Sequence, residues 1–284
     1  MRGEQKKEIQ PVLCWAVATP PELKALRAVR DLNLLVEHAP FSIFSNTQGT
    51  EWVIGTGVGQ ASMATGIGYL AGVIPRGATA VWGNVGIAGA QHREIGTALA
   101  IHQVECASTG RSFHPGLIPI RGLATAVCRT VHRVEHTYAK DVLYDMEAAG
   151  FVQALRKLTH IDGFGLLKIV SDNCEQGVAH LNAKVMKQLV GNAAPTINAL
   201  AKNLIAISLE VHQRTAEPPH FEQAIEMHAF SVSEQIRLRK LLRRWFVLKP
   251  QVDLIETLEQ YTRSKVLDGM EAVLDDVPLE VSHD

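Results

Sequence analysis

Three carboxylates stand where an acid could do chemistry. Asp172 ends the apolar run "IVSDN" (169–173). In open α/β sheets ligands gather at the carboxyl ends of strands, so an acid emerging there can give or take a proton. Ser171, Asp172 and Asn173 are also good helix caps, which is the plainer use of the same residues. Glu22 follows the apolar run "PVLCWAVAT" (11–19) and Pro20-Pro21. That is again a strand end, although a first-turn acid facing a helix dipole needs no other role. Glu147 stands in "YDMEAAGF" (144–151), beside Asp145 and Met146. Two acids can simply open an amphipathic helix. A methionine between them, in so apolar a stretch, raises the question of a ligand.

Other motifs carry less. The glycines of "GTGVG" (55–59) and "NVGIAGA" (84–90) lie at strand ends, where bare backbone N–H groups can hold an anion or a sugar oxygen. Neither is a GxGxxG, and tight turns use glycine for ordinary reasons. "HRVEH" (132–136) matches the H-x-x-E-H zinc pattern. Its flanks, Cys128, Thr130, Val131, Val134 and Thr137, favour a strand. On a strand the two histidines stand roughly 13 Å apart, too far for one zinc ion. No metal and no cofactor are expected. "SVSEQIRLRKLLRRW" (231–245) opens with a Ser231–Glu234 capping box. It places Ile236, Leu238, Leu241, Leu242 and Trp245 on one face and five basic residues on the other. A solvated helix is the plain reading. A protein partner for this region is the sharper one, and nucleic acid is not expected.

The elements that must hold these residues follow from periodicity. Apolar strands ending in glycine or polar residues alternate with helical stretches such as "ELKALRAVRDL" and "MEAAGFVQALRKL". This predicts an α/β fold, a three-layer sandwich around a mixed, mostly parallel central sheet. The composition changes near "QRTAEPPHFE" (213–222), and no clear strand follows. The expected division is a domain over 1–214 and a helical C-terminal extension over 215–284.

Bulk properties exclude several classes. The chain has 284 residues, 46% apolar and 20% charged, enough for a sizeable core. A net charge of −1 gives no field that favours nucleic acid or an anionic membrane. Four scattered cysteines without a CxxC suit reduced thiols. No leader is expected in "MRGEQKKEIQP" and no apolar run reaches membrane-spanning length. A cytoplasmic location is expected.

Several of these pieces occur together in one family. "YDMEAAGF", "LKIVSDN", "NVGIAGA" and "VIGTGVGQASMATGIGYL", with "PPELKAL" before them, resemble in order and spacing the purine nucleoside phosphorylase and methylthioadenosine/S-adenosylhomocysteine nucleosidase superfamily over about residues 11–210. The resemblance implies that Met146 packs on a ribose and that Glu147 accepts its hydroxyls. It implies that Asp172 meets the purine N7 and that Glu22 activates water. It puts Gly86, Ile87 and Ser171 on the substrate-binding surface, and Phe113 and His114, in "GRSFHPG", are expected to serve the purine pocket, where the family often stacks an aromatic on the base. Asn84 stands where the phosphorylases carry a phosphate-binding arginine, and Ile87 replaces a serine, so water is the expected nucleophile. Lys168 matches a family arginine before the Ser-Asp pair. The implied activity is hydrolysis of the N-glycosidic bond of a purine nucleoside, adenosine-type and open to 5′-modified forms. A phosphorylase and a non-catalytic binding protein on the same fold are the alternatives. A homo-oligomer, dimer or larger, is expected.

Overall fold

The computed structural model describes residues 12–38, 40–74, 80–215 and 217–277. The charged start, for which no leader is expected, lies outside them. The chain divides into two compact units, Met1–Gln213 and Arg214–Asp284.

In the first unit, strand β1 (Val12–Val17) leads into helix α1 (Pro20–Arg30). A hairpin of β2 (Asn33–His38) and β3 (Phe41–Ser45) then precedes β4 (Glu51–Gly55). Helix α2 (Gln60–Val73) follows, then β5 (Ala80–Gly89), β6 (Ala98–Cys106) and β7 (Ser112–Phe113). After β8 (Thr125–Thr130) and the short β9 (Leu143–Asp145) come α3 (Ala148–Leu155), β10 (Phe164–Asp172), α4 (Ala183–Asn192) and α5 (Ala194–Thr215).

Strand β1 is buried along its whole length because both faces of the sheet are covered. Cys14 and Ala16 pack into a cluster with Met63, Ile67 and Leu70 of α2 and Phe151 and Leu155 of α3. The alternate residues Leu13, Trp15 and Val17 join Leu26 of α1, Val190 of α4 and Ile197, Leu200 and Leu204 of α5. Period-two alternation sends successive side chains to opposite faces. Two helical layers are therefore built on one sheet.

The sheet is α/β and mixed, as expected, but it is not mostly parallel and not a plain sandwich. Among the described residues, β1 pairs in parallel with β4 and β5, β5 with β10, β6 with β8, and β8 with β9. As many pairings are antiparallel: β2 with β3, β3 with β4, β5 with β9, β6 with β7, and β6 with β10. The pairs β5–β10–β6–β8–β9–β5 also form a ring, so one part of the sheet closes as a five-stranded barrel. The reason lies in the connections. Short links reverse the chain and give the antiparallel pairs β2–β3, β3–β4 and β6–β7. The longer stretches from β6 to β8 and from β8 to β9 return the chain in parallel with no helix among the described residues.

The second unit comprises α6 (Phe221–Met227), α7 (Val232–Leu248), α8 (Leu254–Glu259) and α9 (Val266–Asp275). Leu238, Leu241, Leu242 and Trp245 of α7 are buried against Phe221, Leu258, Val266 and Met270. The Ser231–Glu234 capping box is formed. Ile236 departs from expectation and stays exposed. The basic face is largely neutralised. Arg237 pairs with Asp268 and Glu271, Arg239 with Glu217, and Arg244 with Asp275. Among the described residues no helix is long and apolar enough to cross a membrane.

Candidate active site

A cavity of about 410 Å³ opens at the carboxyl ends of β1, β5 and β10. Its size falls within the range of small-molecule sites. Glu22, Glu147 and Asp172, from distant parts of the sequence, all line it, together with Met146, Ile87 and Ser171.

Glu22 is 3% exposed. Thr19 caps α1, and Glu22 answers it in a capping box behind Pro20-Pro21. Glu22 Oε2 accepts from the Thr19 backbone N–H at 2.8 Å and its hydroxyl at 2.7 Å. Glu22 Oε1 accepts from the Ile87 N–H at 2.9 Å. A carboxylate has about four acceptor sites. Three are taken by the protein, and one on Oε1 is left. The bare Cα of Gly86 gives this approach room, since a Cβ there would lie tightly, 3.3 Å from Glu22 Oε1 and 3.1 Å from Lys168 Nζ. Gly86 itself does not line the cavity, which corrects the expectation that it is a contact residue.

The "YDMEAAGF" acids divide their work. Asp145 lies at the foot of α3, where its Oδ2 accepts from the Ala148 N–H at 2.7 Å and the Glu147 N–H at 3.2 Å. Thr130 donates to its Oδ1 at 2.7 Å, and Lys168 Nζ lies 2.9 Å from its Oδ2. Burial penalises the Asp145 charge, but Lys168 and these donors outweigh it and hold its carboxyl below the usual range. Lys168 answers the same way: burial opposes its charge, Asp145 favours it, and it stays a cation. This ion pair is almost fully buried, and it fixes the turn that aims Met146 and Glu147. Glu147 is different. It accepts the Gly59 N–H at 2.8 Å on Oε1, beyond the "GTGVG" turn. Burial, helped by the nearby Asp145 charge, pushes its carboxyl up to about 7, with Lys168 and the Gly59 bond working against the shift.

Asp172 ends β10 opposite Gly89 of β5, at an irregularity in the register. The Ser171 hydroxyl donates to its Oδ1 and the Tyr138 hydroxyl to its Oδ2. A Cβ on Gly89 would come within 2.7 Å of Asp172 Oδ2 and 2.6 Å of the Tyr138 ring.

The sequence matches no protein-family model and none of the curated proteins it was compared with. Solved structures do match. A 5′-methylthioadenosine/S-adenosylhomocysteine nucleosidase from Neisseria meningitidis, in complex with methylthio-immucillin-A, aligns with a TM-score of 0.55 at 16% identity. The alignment covers 68% of this chain and 99% of that one. The corresponding enzyme from Colwellia psychrerythraea 34H, in complex with adenine, gives 0.51 at 18% identity over 70% and 96%. A futalosine hydrolase of Helicobacter pylori gives 0.54 at 11% identity over 68% and 98%. This chain has the nucleosidase fold.

Within that fold the expected base-stacking aromatic is misplaced as well. Phe113 does not line the cavity. It lies on β7, paired with Val104 of β6, and its ring is buried in the core beside Arg156. The aromatics of the cavity are instead Tyr138, Tyr144 and His136. Tyr138 and His136 come from the loop after β8, together with Val131, Val134 and Glu135. "HRVEH" is therefore loop, not strand. Glu135 folds that loop on itself by accepting from the His136 and Thr137 N–H groups and the Thr137 hydroxyl. Among the described residues no cluster of three His, Cys, Asp or Glu could hold a metal ion. Val178, Leu181 and Met186, after β10, complete the apolar wall and were also missed. The one available signal was position, since Tyr138 precedes "YDMEAAGF" in the stretch where the resemblance puts the base pocket.

Proposed function

We propose that this protein is a nucleosidase that hydrolyses the N-glycosidic bond of a purine nucleoside of adenosine type, 5′-modified forms such as methylthioadenosine or S-adenosylhomocysteine included. The observation that carries this reading is the convergence of Glu22, Glu147 and Asp172 on one cavity whose described lining contains no lysine or arginine.

Each carboxyl group fits one need of the reaction. Glu147 keeps Oε2 free for the ribose hydroxyls, because only its Oε1 is bound to Gly59. Met146 offers an apolar surface to the sugar. Asp172 gives its proton to N7 as the C1′–N9 bond breaks and the bonding pair passes to the base. The ribosyl group gathers positive charge in that step, and the surrounding carboxylates stabilise it. Glu22 takes a proton from water through the acceptor site left on Oε1, and the water oxygen bonds to C1′. General-base help of this kind contributes roughly 10²–10⁴-fold.

Water is favoured over phosphate on electrostatic grounds. A bound phosphate needs cationic or N–H donors. Lys168, whose Nζ lies with Glu22 Oε1 beside Gly86, is already paired with Asp145. Asn84, at the position of the phosphorylase arginine, is buried and donates to the Ala16 carbonyl. The test is a screen of purine and pyrimidine nucleosides for released base, with and without phosphate. Release that does not depend on phosphate is expected. Phosphate-dependent release would make the protein a phosphorylase, and no release from any nucleoside would overturn the reading.

A further inference from the structure

Tyr138 is an unusual residue in an ordinary loop. Its backbone is in the left-handed region, at φ 44°, where a bulky side chain is seldom found. Its ring is 1% exposed, although both neighbours in sequence are open to solvent. The ring fills the slot above Gly89 and meets Tyr144 edge-on at 5.8 Å. The hydroxyl ends on Asp172 Oδ2. A strained backbone persists when its surroundings over-determine it, and such residues cluster at functional sites.

We propose that Tyr138 is a positioning residue for Asp172, holding its carboxyl group toward the leaving base and stabilising the charge left there when the proton has gone. The inference rests on the proposed nucleosidase function and extends it to a residue outside the acid signature.

The chemistry is as follows. Ser171 takes one acceptor site on Oδ1 and Tyr138 one on Oδ2, which leaves a site on each oxygen. A proton on either free site leaves both clamps in place. When that proton moves to N7, Asp172 becomes an anion that accepts two hydroxyl donors. Hydrogen bonds to charged groups are roughly twice as strong as those between neutral ones. The Tyr138 bond therefore strengthens as the reaction proceeds, and a bond of that kind raises kcat rather than lowering KM. Burial, and then the hydrogen bond to Asp172, hold the phenol well above its ordinary pKa, so it stays a protonated donor.

Tyr138→Phe removes only the oxygen and keeps the ring in its slot. Two substrates separate the roles. One is the purine nucleoside cleaved fastest in the screen, and the other is 4-nitrophenyl β-D-ribofuranoside, whose leaving group departs without a proton. On the nucleoside, Y138F should lower kcat about tenfold with KM nearly unchanged. Nitrophenolate release should stay within about twofold of wild type by the same reasoning, since no charge develops on Asp172. Asp172→Asn should show the same pattern, and Y138F/D172N should be no slower on the nucleoside than D172N alone. Native kcat on the nucleoside, an equal loss on both substrates, or a further loss in the double variant would overturn the inference. A wild-type protein that cleaves neither substrate would remove the functional reading and this inference together. Any other pattern in an active protein bears on Tyr138 alone.

Discussion

The carboxylate of Glu22 and the backbone N–H of Ile87 are joined at 2.9 Å, which ties the first turn of α1 to the carboxyl end of β5. Every protein donor around this carboxylate is an N–H or O–H, two of them from the backbone. An amide cannot serve all three. Whichever way Glu22→Gln turns its side chain, its NH₂ group opposes either the Thr19 N–H or the Ile87 N–H. The variant should therefore lose about 1–3 kcal/mol of stability through one unsatisfied donor. It should also lose base release by roughly 10²–10⁴-fold while binding nucleoside nearly as before. Thermal melting, calorimetry and base release on one preparation check the three parts. Native turnover would reduce Glu22 to a capping residue.

Glu147 makes stability depend on pH. Its carboxyl titrates at about 7 in the folded protein, against 4.5 for the ordinary group, because burial disfavours its charge. Between those values the folded state holds a proton that the unfolded chain has released. Stability from this group thus falls as pH rises through that window and stays low above it. Glu147→Gln removes the penalty and keeps an oxygen for the Gly59 N–H. Relative to wild type, the variant should be unchanged near pH 4.5 and more stable at pH 8, by at most roughly 3 kcal/mol. Nucleoside cleavage should fall by about tenfold or more as the charged acceptor is lost. A pH series of melts shows whether the gap between the two proteins opens as pH rises. A gap that is constant or closes contradicts the assignment.

The Lys168–Asp145 pair gives a test of the scaffold rather than the chemistry. Lys168→Met leaves a fully buried carboxylate without its cation. A loss of about 3–5 kcal/mol is expected, since breaking one side of a buried pair strands the other. Lys168→Met with Asp145→Asn should recover part of it, because the amide oxygen still accepts from Ala148. Urea midpoints decide this. A double variant no more stable than the single one would mean that Asp145 is not the stranded group.

How much of this was legible depended on where each residue sits. Asp172 and Glu22 were readable because each follows an apolar run buried on both faces, and such runs announce a strand and its end. Glu147 stood out beside Met146 in an apolar stretch, its role came only through the family resemblance, and the role of Asp145 as the paired acid beneath it needed coordinates. Strand direction left no trace, since "ALAIHQVEC" reads the same whether β6 runs with β10 or against it. Tyr138 lies in a loop without periodicity, and its reach to Asp172 spans 34 residues. Phe113 misled because its stretch is short and turn-rich, and an aromatic there fits a core as well as a pocket. The arginines of α7 looked free because their partners Asp268, Glu271 and Asp275 lie on α9.

The two units should also separate. Each has its own hydrophobic cluster: Phe221, Leu238, Trp245, Leu258 and Met270 belong to residues beyond 214, and the two clusters around the sheet draw only on residues before it. Helix α5 ends at Thr215, and Ile197, Leu200, Ala201 and Leu204 anchor it to the sheet. A cut after residue 215 therefore removes no core side chain of the first unit. The expected product is a folded, cooperative α/β protein with all of Glu22, Glu147, Asp172 and Tyr138, and with base release within a few-fold of the full chain. Its circular dichroism should lose helix in proportion to α6–α9 while the near-ultraviolet signal of Trp15, Trp52 and Trp82 remains. Insoluble protein, or a melt without a cooperative transition, would show that the C-terminal unit completes the first unit or an interface between copies. A folded product without activity would contradict the assignment of the complete site to the first unit.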